Sequence, residues 1–166
     1  FYTSQKYFNG TLPKGEVSKE VKETCDKAIL EYEKLMYTHE FHAIMMLLDT
    51  FIRDASKFWA SESKRVIQNA NPENKEMNED EKIDAEKPLM AQVLIDSFHF
   101  VRTIIALLHP IAPVGSEKVF DYLQVEKSFW SWETIFEPLS FFIKDNHSFT
   151  FLEPRVDFFE KHESQV

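Results

Sequence analysis

Glycine is the scarcest useful signal in this chain. Only Gly10, Gly15 and Gly115 occur in 166 residues. Neither GxGxxG nor GxxxxGKS/T can be written with three dispersed glycines, so a nucleotide site cradled by backbone amides is excluded from this stretch. So few glycines, with few valine, isoleucine and threonine alternations, also speak against an all-β fold. Cysteine is reduced to Cys25, which rules out a disulfide framework and suits a reducing cytoplasm, the predicted location. Cys25 falls on the apolar side of a helical pattern and reads as a buried small hydrophobe rather than a nucleophile. No signal-peptide pattern opens the chain, and no run of ~18 apolar residues suggests a membrane span. The sequence begins at Phe1 without methionine and reads as a piece of a larger protein.

What is present favours one helical domain, residues 1–166. Hydrophobic residues make up 43% of the chain and include 16 phenylalanines, enough for a sizeable core. The net charge is −9, and it is unevenly spread. Residues 1–70 carry ten basic and ten acidic side chains, residues 71–87 three and seven, and the remainder six and eleven. A polyanion would therefore meet least repulsion on the N-terminal half, where Lys57, Lys64 and Arg65 cluster.

Along the chain, residues 1–8 read as the end of a helix broken by Phe8-Asn9-Gly10. From Ser18, the positions Val21, Cys25, Ala28, Ile29, Tyr32, Leu35 and Met36 repeat at helical steps. Thr38 interrupts them and is a candidate cap for the next helix. That helix repeats Phe41, Ile44, Met45, Leu48, Phe51, Ile52, Ala55, Phe58 and Trp59 and runs into the Arg65 region. Residues 69–87 are polar and acidic and read as a mobile connection. Pro88 suits the first turn of a further helix, apolar on nearly every side through Leu108, which should be central. The stretch LLHPIAPVGSEKVFDYL, residues 107–123, stops that helix at His109. Pro110 and Pro113 predict an extended corner, and Gly115-Ser116 the start of a short helix ending at Leu123. Ser131 is a candidate cap for Trp132–Phe136, residues 139–152 suggest a short hairpin or extended wrap, and 155–165 a last helix. The fold predicted is an all-α antiparallel helical bundle with an irregular C-terminal wrap.

Four segments resemble class I aminoacyl-tRNA synthetases, most closely the methionyl family. Lys6-Tyr7-Phe8-Asn9-Gly10-Thr11-Leu12-Pro13 is similar to the family's RYFxGxxP. Ala55-Ser56-Lys57-Phe58 is similar to its AxKF helix ending. The proline corner resembles LxPxxPxxxxxxxxxL, and Phe129–Glu133 with Phe136-Glu137-Pro138-Leu139 resembles its Trp and Pro-Leu segment. The corner also occurs in leucyl, valyl, isoleucyl and cysteinyl enzymes. The resemblance implies the bundle that grips the tRNA anticodon stem-loop. A separate domain would then use ATP, and zinc if present, to perform the ligation. HIGH-like and KMSKS-like signatures are absent from this stretch, which alone would bind tRNA and not catalyse. Two of the family's base-reading residues fall upstream of Phe1. The third, the Trp of an APW motif, aligns with Ser63-Lys64-Arg65, and Trp59 lies just before it.

The candidate RNA-binding residues are thus Trp59, Lys57, Lys64 and Arg65. Trp59 reads either as a half-buried core aromatic or as a stacking face for a base. The three cations read either as a solvated face or as a phosphate-contacting patch. His39 and His42 are spaced for one metal but lack a third ligand nearby. His99 reads as a hydrogen-bonded core histidine. The carboxylate pairs Glu117/Asp121 and Glu133/Glu137 read as solvated. No nucleophile, metal set or cofactor loop supports a stand-alone enzyme. The alternative of a different class is a protein-interaction module that keeps the fold without the RNA site; the net charge favours it.

Overall fold

The computed structural model describes residues 1–71, 76–143, 147–148 and 158–159, and among these it is an all-α bundle. Helix α1, Tyr2–Phe8, ends as the sequence suggests, with Asn9 at φ 51° and Gly10 at φ 78°. A left-handed conformation is open to glycine and tolerated by asparagine. A two-residue strand, β1 (Thr11–Leu12), follows.

Helix α2, Lys19–Tyr37, buries Val21, Cys25, Ala28, Ile29, Tyr32 and Leu35, the expected stripe, but leaves Met36 exposed. Burial pushes the Cys25 thiol up to about 12, so it stays protonated and inert. The start of α2 is capped from elsewhere in the fold. The Ser18 N–H and hydroxyl both donate to the buried carboxylate of Asp96, at 2.8 and 2.7 Å. A carboxylate is favoured there by the positive end of the helix dipole. Gln92 closes the arrangement by donating to the Glu16 carbonyl at 3.0 Å and to Asp96 at 3.1 Å.

Thr38 does not cap the next helix. Its hydroxyl turns back to the Lys34 and Leu35 carbonyls, at 3.2 Å each, and closes α2 instead. His39, at φ 59°, makes the turn, and α3 (Phe41–Ala70) starts after Glu40. Ile44, Leu48, Phe51 and Val66 are buried, whereas Phe41 and Met45 face solvent.

The acidic stretch 69–87 is corrected most. Residues 72–75 lie outside the described residues, but helix α4 already begins at Glu79 and runs to Leu108. Asn78 and Glu81 form a reciprocal capping box, both bonds 2.9 Å, and Glu79, Asp80 and Glu81 favour the dipole of the first turn. Pro88 therefore sits inside the helix, where it forfeits the bond to the carbonyl four residues back. Helix α4 is central, as expected. It sends Val93, Leu94, Phe98 and Ile105 into one apolar cluster and Phe100 and Leu107 into another. By length and composition it is the one described helix that could cross a membrane, yet 67% of its apolar window is buried by the rest of the fold. Helices α2 and α4 run the same way. Ser18 meets Asp96 at one end and Tyr37 lies beside Pro110 at the other, while α3 runs back between them.

The proline corner is a tight turn rather than an extended one. The Ile111 and Ala112 N–H groups both donate to the Leu108 carbonyl at 2.9 Å, and Pro113 is the first residue of α5 (Pro113–Leu123). Proline suits that position because its missing N–H would have no partner there. Gly115 and Ser116 lie buried inside α5 rather than before it. A Cβ at position 115 would collide with the Phe159 ring and the Phe158 carbonyl, so glycine is needed for close approach.

Beyond α5, two 3-10 turns (Lys127–Trp130 and Trp132–Thr134) lead to the four-residue helix α6, Leu139–Phe142. Ser131 caps the second turn as predicted, accepting from the Glu133 N–H at 3.3 Å. No local hairpin occupies the described part of 139–152. Instead β2 (His147–Ser148) pairs antiparallel with β1, Thr11 opposite Ser148 and Leu12 opposite His147. The expected alternation at Phe149 and Phe151, and the last helix at 155–165 apart from Phe158 and Phe159, lie outside the described residues.

Phe129, Ile135 and Leu139 bury this irregular segment in the core, and one polar side chain gathers its backbone. Arg102 of α4 is 2% exposed, and its guanidinium donates to four backbone carbonyls. They are Phe129 at 2.8 Å, Thr134 at 2.7 Å, Ile135 at 3.2 Å and Glu137 at 3.0 Å. The Phe142 and Phe129 rings cover it at 4.4 and 5.4 Å. Burial lowers its pKa to about 10, so it remains a cation at neutral pH. Replacing Arg102 with methionine keeps the volume but orphans those carbonyls, so we expect a loss of about 3–5 kcal/mol. Denaturant unfolding measures it, and limited proteolysis should cut first between α5 and α6.

His99 is core, as predicted, but neither ring nitrogen finds a hydrogen-bond partner among the described residues. Burial, reinforced by the charges of Arg102 and Lys22, pulls its pKa down to about 4. The fold thus favours the neutral ring. Its contribution is complete above about pH 6.5 and is lost as pH falls through 6.5 towards 4, amounting to about 3 kcal/mol. Stability measured by urea titration across that window should fall in the wild type and fall less in His99→Leu.

Candidate nucleic-acid interface

The four predicted RNA-binding residues all stand on α3, and its 3.6-residue period separates them. At ~100° per residue, Lys57 and Lys64 fall within ~20° of each other, Arg65 lies ~80° round from Lys57, and Trp59 is ~160° away. The structure therefore brings Lys57 and Lys64 onto one face with Arg65 beside them, and turns Trp59 to the other side of the helix.

The cations are exposed. Lys57 pairs with Asp54 at 3.0 Å, and Arg65 donates through Nε to Glu62 at 2.8 Å. Arg53 does the same with Asp49 at 2.9 Å. Lys64 has no ion pair with any described residue. Exposed pairs one helical turn apart contribute only about 0.3–0.5 kcal/mol. Exchanging such a carboxylate for a phosphate therefore costs little. Arg65 also borders a hollow of about 480 Å³ between α3, the start of α2 and α4, with Glu62, Asn69 and Gln92 on its walls.

Trp59 is half-buried and packs against the core cluster around Phe98 and Val119. It lines an apolar groove of about 440 Å³. Ile52, Ala55, Ser56 and Trp59 form one wall at three- and four-residue steps. Phe98, Val101 and Ile105 of α4 form the facing wall. Phe1 lies at one side, its ring 5.7 Å from that of Phe98. The structure shows the half-buried aromatic of the first reading, with one part of the side chain packed in the core and another bordering open apolar space. The α4 wall was missed because its residues read as plain core. The periodic stripe 52, 55, 56, 59 was the available signal.

The remaining candidates do not assemble into a reacting centre. His39 and His42 are exposed, and no three His, Cys, Asp or Glu side chains converge in a metal-holding arrangement among the described residues. Glu117 faces His109 at 3.5 Å on the surface.

No protein-family model matches the chain. Over 131 residues, 79% of its length, the chain is 21% identical to methionine–tRNA ligase 1 of Alkaliphilus oremlandii (strain OhILAs). It covers 22% of that ligase. An alignment of 131 residues within 166 must include residues 36–131, so it takes in α3, α4 and α5 whole. That likeness supports a relationship between this helical bundle and an aminoacyl-tRNA synthetase.

Proposed function

We propose that this chain is the tRNA-binding bundle of a methionine–tRNA ligase, gripping the anticodon stem-loop for a catalytic domain carried elsewhere in a longer protein. The observation that carries this reading is the similarity to methionine–tRNA ligase 1 across α3 to α5. The surface of α3 supplies suitable chemistry. Lys57, Lys64 and Arg65 meet phosphates, while the groove beside Trp59 takes an unstacked base. Acidic side chains dominate beyond residue 70 and repel the polyanion, which orients it onto α3. The ligation chemistry, with its ATP and any zinc, belongs to that other domain, and the working compartment is the cytoplasm.

Net charge of −9 favours a second reading, a protein-interaction module that retains the bundle without RNA. Filter binding with bulk tRNA over a range of salt concentrations separates the two. The first reading expects saturable binding that weakens with salt. Replacing Lys64 and Arg65 together by alanine should reduce the slope of log affinity against log salt by about 2. Trp59→Ala should cost about 1–3 kcal/mol of affinity while leaving that slope unchanged. Absence of binding at low salt would support the interaction module.

A further inference from the structure

At the opposite end of α3 from Arg65, the α2–α3 corner carries a second hollow, of about 440 Å³. Its wall is aromatic: the rings of Tyr32 and Trp132 meet at 6.0 Å and 44°, and Tyr37 and His39 stand beside them. One carboxylate, Glu33, faces it. The Glu33 carboxylate accepts the Trp132 indole N–H at 3.2 Å, which fixes the ring and leaves the carboxylate at the hollow. The Tyr32 hydroxyl is buried and has no hydrogen-bond partner among the described residues. Local charge is strongly one-sided. Residues 31–42 and 131–137 supply Glu31, Glu33, Glu40, Glu133 and Glu137 against a single Lys34. Lys34 is itself paired with Glu31 at 3.4 Å. Apolar surface continues out of the hollow, with Tyr37 84% and Phe41 62% exposed.

We infer that this hollow is a binding site for an arginine or lysine side chain on a basic, amphipathic segment of a partner polypeptide. Aromatic faces beside a carboxylate hold a cation through the ring quadrupole and a charge-assisted hydrogen bond. An arginine guanidinium suits best, because its flat face stacks on Trp132 while its edge donates to Glu33. The exposed Tyr37 and Phe41 distinguish a polypeptide from a free small cation. A peptide's neighbouring apolar side chains would cover them, and a small cation would leave them wet. The Glu33 carboxylate in the hollow, within an acidic stretch of chain, repels a phosphate backbone, so the site is separate from the proposed RNA face on α3 and stands whether or not that face binds tRNA.

The chain has three indoles, and their N–H signals in a nitrogen–proton correlation spectrum report on the site directly. The probe is a short synthetic peptide of alternating arginine and leucine, compared with its citrulline counterpart, which keeps the shape and loses the charge. The arginine peptide should shift the Trp132 signal saturably while those of Trp59 and Trp130 stay in place. The citrulline peptide should bind much more weakly. Glu33→Gln, which retains shape and fold by circular dichroism, should weaken the arginine peptide about fivefold. Three results would overturn the inference: no saturable Trp132 shift, equal binding of the two peptides, or unchanged affinity in Glu33→Gln. A saturable shift of the Trp132 signal by tRNA alone would also overturn it, by giving the hollow to RNA.

Discussion

The fold depends on a cation buried without a single carboxylate among its hydrogen-bond acceptors. Arg102 stands in the last two turns of α4 and is neutralised by four carbonyl dipoles and two aromatic faces. A buried charge is costly unless it is neutralised and well hydrogen-bonded, and here four of the five guanidinium N–H groups reach carbonyls. The segment from Phe129 to Phe142 cannot shift without orphaning it. Short turns whose Phe129, Ile135 and Leu139 already sit in the core are thereby also locked, through their backbone, to a long central helix. His99, one turn earlier, stays neutral partly because that positive charge is near.

A second long-range cap repeats this logic. Asp96, on the same helix, supplies the charge that the start of α2 needs, so α4 organises both the segment that precedes it and the one that follows. Three successive turns of one helix thus carry an anion, a neutral ring and a cation, all inside the protein. Each satisfies or avoids a charge whose partner is distant in sequence.

The helical bundle was legible because it rests on local periodicity. The repeat from Val21 to Leu35 is buried as its spacing predicts, and so are Val93, Leu94, Phe98 and Ile105 of α4, while Val101, Ile104 and Leu108 are half-buried. The misreadings come from interactions that periodicity does not encode. The acidic run before Pro88 looked like a connection because it lacks apolar anchors, yet Asn78 and Glu81 cap it into a helix. Proline was read as a boundary there, but burial of the rest of α4 outweighs one missing bond. Arg102 passed unnoticed because an arginine in an apolar stretch gives no sign of which carbonyls will surround it. On α3, residue types pointed to RNA contacts, but only the helix geometry separates the face of Lys57 and Lys64 from the groove of Trp59.

The small ladder between Leu12 and His147 has a consequence for biosynthesis. Its two halves are separated by 135 positions, so the first waits for the second at the ribosome. At typical elongation rates of ~5–20 residues per second, that interval lasts roughly 7 to 27 s. Throughout it, the extended backbone at Thr11–Leu12 has an open edge in a crowded nascent-chain environment. At two residues the edge is too short to recruit a neighbour firmly, which makes the delay harmless.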